Sequence, residues 1–209
     1  VFPYSSDSAP CVLTKHMLIE AKKTQSPKLW IIDVKSFIVD PVIDGQAEKV
    51  RRVTDLWPMS KNKINALNYA FKYLEQNDEF KKDVSWYLPL VKYHGRWDSQ
   101  DENVVKLSES DFTNGQDKYM GAYASKKNSG FIKAYDVPKT TSESLAIPKN
   151  SEVILRDLLD YLKESNEQVL FVVSPSADPI ERFKKFNYIF SIIDEYGFDY
   201  INFNTEEMY

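Results

Sequence analysis

The sequence predicts an α/β fold, a mostly parallel sheet in three layers of the flavodoxin-like kind, and three stretches carry that expectation. Val169-Leu170-Phe171-Val172-Val173 is a β-branched and aromatic run that stops at Ser174-Pro175, which reads as a buried strand. Asp178-Pro179-Ile180-Glu181 then opens a segment whose apolar residues, Phe183, Phe186, Ile189, Phe190 and Ile193, recur every three or four positions up to Gly197. That spacing is helical, with Asp178 as cap, Pro179 in the first turn, Glu181 closing a capping box and glycine as terminator. Asp199-Tyr200-Ile201-Asn202-Phe203 follows as a second strand. Two strands joined through one helix of this length pair in parallel with a right-handed crossover, and parallel sheets are normally covered on both faces.

From the N-terminus, Ser8 or Pro10 starts a helix whose inner face is Leu13, Met17, Leu18 and Ala21, and Pro27 lies just beyond its end. Leu29-Trp30-Ile31-Ile32-Asp33-Val34 has five apolar residues in six without alternation, the mark of an inner strand covered on both faces. Residues 36–150 then lose the strand-helix rhythm and read as a large mixed insertion within a single domain. Its clearest element is a helix from Ser60 to Glu75, capped by Ser60, with Ile64, Leu67, Phe71 and Leu74 inward. Its densest aromatic stretch runs from Trp86 through Tyr93 to Trp97; Ser99 to Lys127 is polar and reads as mobile, and Gly130 to Tyr135 reads as a short strand. The regular pattern resumes at Ser151, where Ile154, Leu155, Leu158, Leu159 and Leu162 form a helical stripe leading into the strand at Val169.

Composition narrows the function classes. With 209 residues, 43% of them hydrophobic, the chain can bury one substantial core. Its 27 basic residues against 31 acidic ones leave a net charge of −4, without the cationic field that nucleic acid requires, so nucleic acid is not an expected partner. A single cysteine, Cys11, and two distant histidines, His16 and His94, spell neither a disulfide framework nor a zinc motif. No apolar stretch reaches the roughly 18 residues of a membrane span. No glycine-rich phosphate loop follows any strand, which argues against a nucleotide-binding enzyme.

Ligands of open α/β sheets sit beyond the carboxyl ends of the strands. Here those ends carry Asp33 and Lys35, Ser174 and Ser176, and Asn202 and Asn204. Each has a plain alternative: Asp33 can cap a loop, Ser174 and Ser176 can serve the turn and the helix start, and the asparagines can satisfy loop backbone. Neither serine lies in a Gly-x-Ser-x-Gly elbow. In Tyr93-His94-Gly95-Arg96-Trp97 an imidazole, a guanidinium and an indole, from His94, Arg96 and Trp97, could line a sugar or anion site, or Arg96 and Trp97 could pack against the domain edge.

The stretches Gln25 to Val34, Pro89 to Trp97, and Val173-Ser174-Pro175 through Asn187 to Asn204 resemble the SGNH/GDSL hydrolase-like proteins of bacterial surface-polysaccharide loci. The resemblance implies a flavodoxin-like three-layer sheet, serine-based cleavage or transfer of acyl esters, commonly acetyl, on a bacterial envelope polysaccharide, an extracytoplasmic location and no cofactor. Departures from the family pattern are definite. The nucleophile block that follows the family's first strand and the Asp-x-x-His block are not in this sequence, and Asp33-Val34-Lys35-Ser36 stands where Gly-x-Asn-Asp is usual. Ser5 and Ser6 occupy the turn that in relatives offers a backbone N–H to the oxyanion. Two expectations follow: a catalytically incomplete central part of such an enzyme, or a non-catalytic glycan-binding or assembly module using the aromatics around Trp86, Tyr93 and Trp97. Without a preceding family strand, Leu29 to Val34 would present an open edge available for self-association.

Overall fold

A computed structural model of the protein describes residues 9–94, 141–175 and 179–204. The chain divides into two compact units, one made of Val1–Tyr87 with Asp136–Tyr209, the other of Leu88–Tyr135. The first unit is mixed α/β. Its strands are β1 (Trp30–Asp33), β2 (Val169–Val173) and β3 (Asp199–Asn202), all parallel and in the spatial order β1-β2-β3. Its helices are α1 (Thr14–Ala21), α2 (Gln46–Thr54), α3 (Lys61–Leu74), α5 (Lys149–Glu164) and α6 (Ile180–Glu195). Its described residues also include short 3-10 turns at Cys11–Leu13, Lys35–Ile38 and Val84–Trp86. The described part of the second unit contains α4 (Pro89–Tyr93), with proline in its first turn.

The two helical stripes read from the sequence are where the core forms. Ile154, Leu155, Leu158, Leu159 and Leu162 of α5 are buried, as are Phe183, Phe186, Ile189, Phe190 and Ile193 of α6. Gly197 ends α6 at φ +77°, a left-handed conformation that costs glycine little. Helix α6 begins at Ile180 with Pro179 in the cap position and no side-chain cap bond, one residue later than the expected start; the expected cap, Asp178, lies outside the described residues. The N-terminal helix likewise starts as a 3-10 turn before becoming α1, with Leu13, Met17 and Leu18 buried.

Strand register settles which side chains share a face. Trp30 pairs with Val169, Ile32 with Phe171 and Phe171 with Tyr200; Val169, Ile32 and Phe171 of this row are buried, and Tyr200, itself 42% exposed, stacks on Phe190 at 4.3 Å between ring centroids. The other row holds Ile31, Leu170, Asp33, Val172 and Ile201. Ile31 is 58% exposed and Ile32 6%. The expectation that β1 is covered on both faces and lies inside the sheet is therefore corrected: among the described residues it is an edge strand with one covered face. The reason is topological. A strand order that advances in one direction, with every crossover right-handed, lays successive helices on the same side of the sheet. The described residues thus form two layers, and an apolar row is left bare.

Helix α3 is capped as expected, Ser60 Oγ accepting from the Lys63 N–H at 3.2 Å. Leu67, Phe71 and Leu74 point inward, but Ile64 is exposed, a second correction. It sits in the first turn, where the inner face is taken by Asn62, Lys63 and Ala66. No described helix is long and apolar enough to cross a membrane.

Candidate functional site

The carboxyl ends of β1, β2 and β3 are laced together by side chains. The chain leaves β1 at Asp33 and turns at once into the Lys35–Ile38 3-10 turn. Asp33 Oδ1 accepts from the Lys35 N–H at 2.7 Å. Its Oδ2 accepts from the Ser174 N–H at 3.3 Å and from the Ser174 hydroxyl. Ser174 is the first residue past β2, and its carbonyl accepts from Asn204 Nδ2 at 3.1 Å. Asn202 Oδ1 in turn accepts from the Asn204 N–H at 2.9 Å and from Asn204 Nδ2 at 3.3 Å. Asn204 is buried, whereas Asp33 and Ser174 are exposed. The result is a solvent-facing carboxylate-hydroxyl pair resting on a buried amide.

Chemically this arrangement suits recognition more than nucleophilic attack. Both Asp33 oxygens are engaged, and the Ser174 proton is directed at a carboxylate, too weak a base to make a serine nucleophilic. The remaining Ser174 lone pairs face water and can accept from a ligand hydroxyl. Within this unit the described imidazole is His16, which belongs to the helical layer. Its Nδ1 lies 2.9 Å from Asn62 Oδ1. Asn62 Nδ2 donates to the His16 carbonyl at 3.0 Å and to Glu20 Oε2 at 2.8 Å, so the amide oxygen is left to accept and the His16 proton sits on Nδ1. Burial holds the His16 pKa below its ordinary value, with the Asn62 bond working the other way.

His94 is exposed and lies in the second unit. Ser5, Ser6, Arg96, Trp97 and Ser176 lie outside the described residues, as do the polar stretch Ser99 to Lys127 and the strand expected at Gly130 to Tyr135. Trp86 is corrected from a glycan-facing aromatic to a core residue: it is buried against Phe71 at 5.3 Å and Phe80 at 5.3 Å. The Arg51 guanidinium stacks 3.8 Å above its ring while Arg51 Nη2 donates to Ser85 Oγ at 2.8 Å. Nothing in the isolated sequence tied Arg51 to that indole, since the two lie on separate elements. Cys11 is buried, and burial pushes its thiol up to about 12, away from reactivity.

No family model, no curated protein and no solved structure matches the chain.

Proposed function

We propose that the protein is a glycan-binding domain of SGNH-like α/β type, which engages acylated polysaccharide of a bacterial envelope at the carboxyl end of its sheet. The observation that carries this reading is the exposed Ser174–Asp33 pair on its buried Asn204 support. Its hydroxyl and carboxylate offer acceptors of the kind that sugar hydroxyls recognise. Beside them half-buried Val172 and exposed Ile201 share one face of the sheet, an apolar floor suited to the ring faces or acyl groups of a sugar.

A second reading, an ester hydrolase or O-acyltransferase, is favoured by the exposure of Ser174 and of His94. It needs an imidazole delivered to Ser174, or a serine elsewhere in the protein.

Titration of the protein with matched O-acetylated and de-acetylated bacterial polysaccharide fragments, followed through the Lys35, Ser174 and Asn204 amide resonances, tests the first reading. Fluorophosphonate labelling of the same sample tests the second. Saturable shifts at those amides, weakened about tenfold or more by Asp33→Asn, with no label, support binding alone. A labelled serine moves the assignment to the enzyme, and neither shifts nor label overturns both.

A further inference from the structure

The most exposed large apolar side chain among the described residues is Leu56, at 84%, in the connection between α2 and α3. Met59, three residues on, is 52% exposed, and Ile64 in the first turn of α3 is exposed as well. With Ser60 as the cap, Met59 and Ile64 hold the two positions that meet across a helix start. All three lie in or beside the connection that forms the α2–α3 corner.

This corner is rigidly built. Trp57 is buried beneath it, its N–H donating to the Thr54 carbonyl at 3.1 Å. The ammonium of Lys63, itself buried, donates to the Trp57 carbonyl at 3.1 Å. Ser60 Oγ accepts from both the Lys63 N–H and, at 3.1 Å, Lys23 Nζ. Leu56 and Met59 are exposed while Trp57 between them is buried.

Charge around the corner is sorted by depth. Arg52 and Lys61 are exposed, and the Lys23 side chain is 40% exposed. The acids beside them are turned in: Glu20, bonded to Lys23 at 2.6 Å, is 10% exposed and Asp55, 3.8 Å from Arg51, is 9% exposed. Exposed apolar side chains flanked in sequence by the exposed cations Arg52 and Lys61 complement a surface that is anionic at its face and apolar within.

We propose that the α2–α3 corner seats on an anionic lipid surface, with Leu56 and Met59 entering the acyl boundary and Arg52 and Lys61 lying at the level of the headgroups. One short corner gives weak, reversible, salt-sensitive attachment rather than anchoring.

Co-sedimentation of the full chain with vesicles of phosphatidylcholine alone, or mixed with phosphatidylglycerol, tests this. Binding is expected to the mixed vesicles only, and to fall as salt is raised. Leu56→Ser with Met59→Ser should weaken it about tenfold or more, and Lys61→Glu about fivefold or more. Leu56→Ser and Lys61→Glu change exposed side chains and should leave the urea midpoint unchanged, while Met59→Ser, at a side chain 52% exposed, should lower it only slightly, which separates lost binding from lost folding. Ile31→Ser, on the bare sheet face, serves as the control and should bind as the parent does. Equal binding to both vesicle types overturns the proposal. So does binding lost with Ile31→Ser but kept in the Leu56/Met59 variant, or vesicle-free self-association abolished by Leu56→Ser, which would make the corner a protein contact.

Discussion

Ile31 and Ile32 are adjacent and chemically identical, and they point to opposite faces of β1, so replacing each by alanine measures which face is covered. Ile32 is 6% exposed and packs on the row that includes Phe171. Truncating it removes buried methyl groups and leaves a cavity, at a cost of about 2–5 kcal/mol. Ile31 is 58% exposed. Fully burying an isoleucine contributes about 1.5–3 kcal/mol, so the remaining buried fraction puts its truncation at about 1 kcal/mol or less. The gap between the variants should be at least about 1–2 kcal/mol, a difference of roughly 2–8 °C in Tm for a chain of this size. Urea unfolding followed by circular dichroism, with a shared m-value, is the assay. Equal losses from the two substitutions would refute the two-layer account, because Ile31 would then be covered by a layer of its own.

Amide exchange should divide β1 in the same alternating way. The Trp30 and Val34 N–H groups bond to β2 at 2.9 Å, so by alternation the Ile32 amide is protected and the Ile31 amide, facing the open edge, exchanges fast; a slow Ile31 amide would mean that the edge is paired. Acid should loosen the α1–α3 contact through His16. Because burial lowers its folded pKa beneath the unfolded value of about 6.5, the stability it contributes is complete above that pH and is lost as pH falls through the lower folded value. His16→Gln should flatten the urea midpoint's dependence on pH below about 6.5, and an unchanged slope would contradict the assignment. Cys11, raised to about 12 by burial, should resist iodoacetamide at pH 8 in the folded protein and react readily in urea, as mass spectrometry would report.

The helical part of the fold was legible because its signals are local. Five apolar residues of α5 and five of α6 fall on one face each, and Gly197 stands where only a left-handed turn could follow. The covering of β1 was not legible. Leu29 to Val34 reads as doubly buried because nothing in that run distinguishes Ile31 from Ile32; the distinction comes from the side on which α5 and α6 cross, a property of strand order. Ile64 failed for a related reason. It keeps the three-four spacing with Leu67 and Phe71, yet Asn62 and Lys63 take the inner position in the first turn, drawn by the His16 carbonyl and the Trp57 carbonyl. Trp86 looked available because its neighbours in sequence are aromatic and polar, whereas Phe71, Phe80 and Arg51 reach it from other elements.

Asp33, Ser174 and Asn204 were identifiable singly as strand-end residues, but their bonding depends on register, which composition does not encode. Once Asp33 stands opposite Val172, Ser174 lies two residues beyond that partner and within reach of the carboxylate. The same parallel order makes the site and bares the sheet. Advancing β1, β2 and β3 in one direction brings three carboxyl ends to one rim, where Asp33, Ser174 and Asn204 can meet, and directs both crossovers to one side, which leaves Ile31 and Ile201 exposed and Val172 half-buried beside that rim. Asp33 belongs to both features, since its side chain falls on the bare row while its oxygens tie β1 to the end of β2. A ligand reaching Ser174 from this side would therefore meet hydroxyl and carboxylate at its polar end and aliphatic side chains along its length. Under the proposed binding role that pairing of surfaces suits an acylated sugar, whose hydroxyls can donate to the Asp33 and Ser174 oxygens.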